Sequence, residues 1–205
     1  MKRVFQHRPS FTFIHAMVLA LVLAGAVARA AEQVGTGETV TQKASEQFEN
    51  GPLKTTSLGQ GIFMFSGDGG DITAIVDGAS TLLIDSGVDS RVDELSGAIF
   101  KATMRPVTRL VNTHWHFDHT GGNAFFGSAG VTIIAHVNVK KRLSSVQDVP
   151  FIGMHDGRYP PQALPGVGYS GNMTLSQGSQ QLTLVNYGPA HTDGDTVIYI
   201  SPALW

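Results

Sequence analysis

The chain has 205 residues, of which 42% are hydrophobic and 15% charged, with a formal net charge of −2 and no cysteine. That is enough apolar material for one core, and the lack of a basic stripe argues against nucleic acid as a partner. Without cysteine, disulfides and thiolate metal ligands are excluded within these residues. The 24 glycines suit a fold of short strands and tight turns.

At the start of the chain, Lys2, Arg3 and Arg8 precede an apolar run over residues 16–27, and Ala28-Arg29-Ala30 follows as an A-x-A cleavage signal. The run is shorter than the about 20 residues a membrane span needs. The expectation is therefore a signal peptide over 1–30 and a periplasmic or secreted mature chain without stable membrane insertion; a retained anchor is the alternative. Residues 31–56 read as a lead-in, and residues 57–205 as one domain without repeats.

Within that domain, residues 61–65 and 72–76 read as strands joined by a glycine-rich hairpin connection over 66–71, and residues 81–84 as a buried third strand. Val92, Leu95, Ile99 and Ala102 recur at spacings of three and four, which predicts an amphipathic helix over 90–103. Asp89 and Ser90 are its candidate caps, and Pro106 closes the element. Residues 107–113, rich in β-branched and aliphatic types, predict a strand, as do residues 131–135, which end at His136. A helix is expected over 138–146, with Lys140, Lys141 and Arg142 as a solvated face. Residues 148–171, rich in Gly and Pro and including His155, read as a long loop able to wall a substrate cleft. Strands are expected over 181–187 and 196–200.

The run Thr113-His114-Trp115-His116-Phe117-Asp118-His119 places three imidazoles and a carboxylate within six residues. A His-rich surface loop would be the bland explanation, but imidazoles and carboxylates are the donors from which zinc sites are built. At the end of an extended segment His114 and His116 project to one side, because side chains alternate with period two. The chain then turns through Thr120-Gly121-Gly122-Asn123, read as flexible backbone leading into a helix. Two ligands can thus face one ion while Asp118 and His119 face a neighbouring position, as in sites holding two metals about 4 Å apart. Downstream, His191 sits between two strands on the loop Gly188-Pro189-Ala190-His191-Thr192-Asp193-Gly194-Asp195. A lone histidine there would be structural; with the upstream cluster it is the candidate third ligand.

Asp85 in Thr81-Leu82-Leu83-Ile84-Asp85-Ser86-Gly87, then His114-x-His116-x-Asp118-His119, then His191, resemble in order the first three signature motifs of the metallo-β-lactamase fold superfamily. The resemblance runs from about Ser57 to the last residue. It implies an α/β fold of the αββα sandwich type: two mixed sheets face to face, helices outside and metals at one sheet edge. It further implies that His114, His116 and His191 hold a first zinc, that Asp118 and His119 join a second, and that Asp85 orients the site without binding metal. The other reading of Asp85 is a turn residue after a buried strand. Family members normally carry two further motifs, a bridging Asp or Cys and a last His. No His follows His191 and no Asp follows Asp195. The expectation is accordingly an amino-terminal portion of a member, with the C-terminal part of the fold missing, holding at most one zinc of the complete protein's two.

The activity implied is an exported zinc-dependent hydrolase that uses a metal-bound hydroxide on a small-molecule ester, lactone, thioester or lactam. Asp118 would be its catalytic residue, placing the nucleophile or taking its proton. A generic hydrolase is favoured over a β-lactamase, since residues 148–171 carry no feature tied to a lactam. The rival readings are a non-catalytic zinc-binding or accessory protein and an iron-containing redox member of the same fold.

Overall fold

Apolar residues on both faces of short strands, followed by an amphipathic helix, build the first layer pair. In the computed structural model, residues 51–149 and 154–201 are described. The expected signal peptide (1–30), most of the lead-in and residues 202–205 lie outside them. Strands β1 (Lys54–Gly59), β2 (Ile62–Asp68), β3 (Gly70–Val76) and β4 (Thr81–Ile84) form an antiparallel meander. Helix α1 (Val92–Thr103) returns the chain to β5 (Val107–Val111), parallel to β4. Helices α2 (Phe117–Thr120) and α3 (Asn123–Ser128) then lead to β6 (Thr132–His136), parallel to β5. Helix α4 (Val137–Leu143) follows directly, then the hairpin β7 (Gln147–Val149) and β8 (Met154–Asp156), and β9 (Val167–Tyr169), parallel to β6. The resulting sheet has seven strands in the order β1-β2-β3-β4-β5-β6-β9. A second sheet, β10 (Asn172–Gln177), β11 (Gln180–Val185) and β12 (Val197–Ser201), is antiparallel among the described residues.

The large sheet is apolar on both faces. Strand β4 is buried at all four positions, as its unbroken apolar run requires of a strand covered on both sides. On one face Phe65, Ile72, Leu83 and Leu110 meet Leu95 and Ile99 of α1. On the other, Ile62, Ile75, Leu82, Val111 and Ile134 meet Leu182 and Leu184 of β11. Each fully buried leucine or isoleucine contributes about 1.5–3 kcal/mol, so the two sheets are held face to face by their apolar surfaces. On the outward face of the second sheet, Val197 and Tyr199 are exposed.

Several local expectations are corrected. The β2–β3 connection is far tighter than a loop over 66–71: β2 runs on to Asp68 through a register shift after Phe65, made possible by positive φ at Gly67 and Gly69. Neither Asp89 nor Ser90 caps α1 with a side chain; a 3₁₀ turn over Asp89–Arg91 leads into the helix instead. Residues 148–171 are no single loop, because they hold most of the β7–β8 hairpin, a 3₁₀ turn at Pro161–Ala163 and the edge strand β9. His155 therefore lies in β8, paired opposite Asp148. No helix among the described residues is long and apolar enough to cross a membrane.

Candidate metal centre

The carboxyl ends of the parallel strands β4, β5 and β6 open at one edge of the sheet, the place where open α/β folds collect ligand-binding residues. Asp85 follows β4, and its amide donates to the Val111 carbonyl at 2.8 Å, extending the pairing with β5. After β5 the chain leaves the sheet, and the His116 carbonyl accepts from the amides of His119 and Thr120 to start α2. That turn is packed, not flexible. A Cβ on Gly121 would lie 2.5 Å from the Asp89 amide, and one on Gly122 2.4 Å from the Ser86 carbonyl. The two glycines are there for close approach of two backbones. The His119 carbonyl accepts from the Ser86 amide and hydroxyl, and Asn112 and Asn123 complete this buried network. Asp118 and His119 are thereby tied to the end of β4.

The structure brings His114, His116 and His191 together: one nitrogen of each lies within 4.8 Å of the other two. His191 Nε2 is 3.0 Å from His116 Nδ1. The His114 tautomer follows from its neighbours. The Thr113 hydroxyl has one proton, and it donates to Asp85 Oδ2 at 2.7 Å. His114 Nδ1, 3.0 Å from the same hydroxyl, must therefore be the donor. His114 Nε2 is left as a bare lone pair, buried and without any hydrogen-bond partner. Burial holds this imidazole down at about 4, and the charge of His119 pushes the same way, against Asp85. Burial, then the neighbouring His191, also lowers His116. An orphaned, unprotonated nitrogen converging with two further imidazoles fits a cation held by three histidines, a donor set known from catalytic zinc.

Asp118 and His119 form the adjoining half. His119 Nδ1 is 2.8 Å from Asp85 Oδ2 and its Nε2 is 3.3 Å from Asp118 Oδ2. Burial works against the charged imidazolium, but the two carboxylates outweigh it and push His119 up to about 10. Asp118 is held below the usual carboxylate range although burial opposes this, because His119 donates to it and lends its charge. Asp85 is buried and accepts from the Thr113 amide, the Thr113 hydroxyl and His119.

Gly70, at the start of β3, faces His119: a Cβ there would lie 2.7 Å from Cε1 and 3.0 Å from Nε2 of the imidazole. With carboxylates on both ring nitrogens, the ring has little freedom to swing aside. Gly70→Ala is expected to destabilise by about 1–3 kcal/mol through overpacking and to displace the His119 signals. Denaturation curves and side-chain ¹H–¹⁵N spectra check this; an unmoved His119 signal would contradict it.

His191 is exposed on the loop between β11 and β12. Asp195 shapes that loop, accepting from the amides of His191 at 2.6 Å and Thr192 at 3.0 Å, and from the Thr192 hydroxyl. The Thr196 amide donates to the Thr113 carbonyl, which joins this loop to the segment carrying His114. Sequence reasoning missed Thr113, Asp195 and Gly70 as site residues; only their nearness in sequence to His114, to His191 and to a glycine-rich turn hinted at them. Of the other histidines, His136 is buried at the end of β6, where its Nδ1 accepts from the Asn138 amide.

A histidine cluster that could hold a metal ion, at the carboxyl edge of a mixed sheet backed by a second sheet, defines a metal-site α/β class. The chain belongs to the metallo-β-lactamase superfamily, whose family model matches residues 66–202. Among solved structures it is similar to a metallo-β-lactamase from Cronobacter sakazakii described by a HARLDQ motif (18% identity, TM-score 0.65, covering 77% of this chain and 61% of that one). It is also similar to a subclass B3 metallo-β-lactamase isolated from a soil metagenome library (22%, TM-score 0.62, 74% and 58%). A third similar structure is a subclass B3 enzyme of Bradyrhizobium japonicum (18%, TM-score 0.64, 76% and 60%). The chain spans about 60% of the length of these proteins.

Proposed function

We propose that this chain belongs to an exported zinc-dependent hydrolase acting on a small acyl compound: an ester, lactone, thioester or lactam. The observation that carries this reading is the buried, unpartnered His114 Nε2 beside His116 and His191. Those three residues would hold a first zinc, with Asp118 and His119 offering donors to a second. When bound, zinc supplies a Lewis acid that acidifies water and polarises an acyl oxygen. The chain's own part is to place that chemistry. Asp85 and Thr113 lock the His114 tautomer, as partners behind a metal ligand commonly do. Asp118, kept ionised, orients the attacking water and takes its proton. The basic start, the apolar run over 16–27 and the A-x-A pattern at 28–30 support export to the periplasm or beyond.

Asp118→Asn keeps the size of the side chain but removes its basicity. It is expected to keep most of the first-site zinc, to weaken the second, and to lower turnover about 10²–10⁴-fold, the range for a lost general base. Zinc analysis of the purified full-length protein and a panel of ester, lactone, thioester and lactam substrates test the reading. A zinc-loaded protein that turns over none of them would be a binding or accessory protein, and iron with a redox-active absorption band would make it a redox member.

A further inference from the structure

His191 is the exposed member of the histidine group, so packing around its own ring does little to fix it. Asp195 shapes the loop from within, but holding that loop against His114 and His116 requires contacts from outside it. The Thr196–Thr113 backbone bond ties the far end of the loop, and helix α4 supplies the contacts to its middle. Asn138 Nδ2 donates to the Asp193 carbonyl at 2.7 Å. Arg142 grips the Asp193 carboxylate, with Nη2 2.8 Å from Oδ2 and Nε 3.2 Å from Oδ1. Gly194 lies so close to α4 that a Cβ would be 2.9 Å from Val139 Cγ2. The same helix buries Val139 and Leu143 in one cluster with Trp115, the residue between His114 and His116. Trp115 in turn sets its ring 4.5 Å from that of His116. One helix thus touches both segments that carry the histidines. Arg142 is partly solvated, as the sequence led one to expect, and also holds Asp193.

We propose that helix α4 is the element that sets the third metal ligand against the first two, with Arg142 and Asn138 as positioning residues acting on His191 through Asp193. The inference rests on His191 being a ligand. Arg142 and Asp193 are partly exposed, at 43% and 28% for the side chains, and such pairs add little to stability. A two-pronged guanidinium–carboxylate contact is, however, specific in direction. Two residues from His191, direction is what the site needs.

The test is zinc affinity by chelator competition on the full chain, with absorption spectra of the cobalt-loaded protein and metal-free unfolding midpoints. Arg142→Ala and Asp193→Ala are each expected to weaken zinc about 10-fold, the lower end for residues supporting a ligand, and to shift the cobalt bands while leaving the midpoint in place. The double variant should lose no more than either single one, since both break one contact. Wild-type affinity and cobalt bands in Arg142→Ala, alongside weakened zinc in His191→Ala, would overturn the clamp and leave the ligand assignment standing. Wild-type affinity in His191→Ala would overturn both. Additive losses in the double variant would also count against the clamp. Should Arg142→Ala lower the midpoint, Asn138→Ala decides, and unchanged zinc affinity there would overturn the proposal.

Discussion

Asp85→Ala is expected to cost about 3–5 kcal/mol of stability, the range for breaking a buried charged pair from one side, and to disorganise both halves of the histidine cluster. Asp85 sits at φ 61, a left-handed position, where its carboxylate serves three donors at once. Removing it strands the Thr113 amide and hydroxyl and leaves His119 Nδ1 without its acceptor. It also frees the Thr113 hydroxyl proton, so nothing any longer dictates that His114 Nδ1 is the donor. Asp85→Asn separates these effects. Asparagine tolerates the left-handed backbone, but its amide nitrogen must face one of three groups that donate. A smaller stability loss with a comparable loss of zinc is expected. Chemical denaturation and zinc titration check both variants, and a neutral Asp85→Asn would reduce Asp85 to a turn residue.

His114→Ala is the second large effect, and it separates stability from metal binding. Zinc affinity is expected to fall more than about 100-fold, beyond the 10–100-fold typical of supporting partners. The metal-free protein should unfold no more easily than the parent. Its buried Nε2 has no partner, and an unsatisfied buried group costs about 1–3 kcal/mol, so deleting the ring relieves roughly what the resulting cavity loses. Calorimetry of the metal-free protein beside chelator competition reads the two effects. Zinc affinity within a few-fold of the parent would remove His114 from the ligand set.

Where the pattern is local, the sequence and the structure agree closely. The apolar run at β4, the three-and-four spacing of α1 and the aliphatic stretch of β5 were all legible, because burial on one or both faces dictates those periods. Strand β9 was not. Its three residues, Val167-Gly168-Tyr169, show no alternation among glycines and prolines, and they are extended because β6 offers them a ladder, with His136 opposite Tyr169. Gly121 and Gly122 were misjudged for a similar reason. A glycine next to a turn reads as freedom, and only the backbone of residues 86–89 pressed against it shows that it marks lack of space.

The sequence by itself determined which donors are present and their spacing; residues 113–115 form a bend past the end of β5, so the fold and not strand alternation sets how His114 and His116 face each other. Only the tertiary structure decided that His191 meets His116 across 75 residues, that Asp85 reaches Thr113 across 28, and that Arg142 reaches Asp193 across 51. Those contacts select a tautomer, leave one nitrogen bare and hold a loop in place. They arise when apolar packing brings distant segments together, and no local pattern of residues encodes which polar groups will then come to face each other.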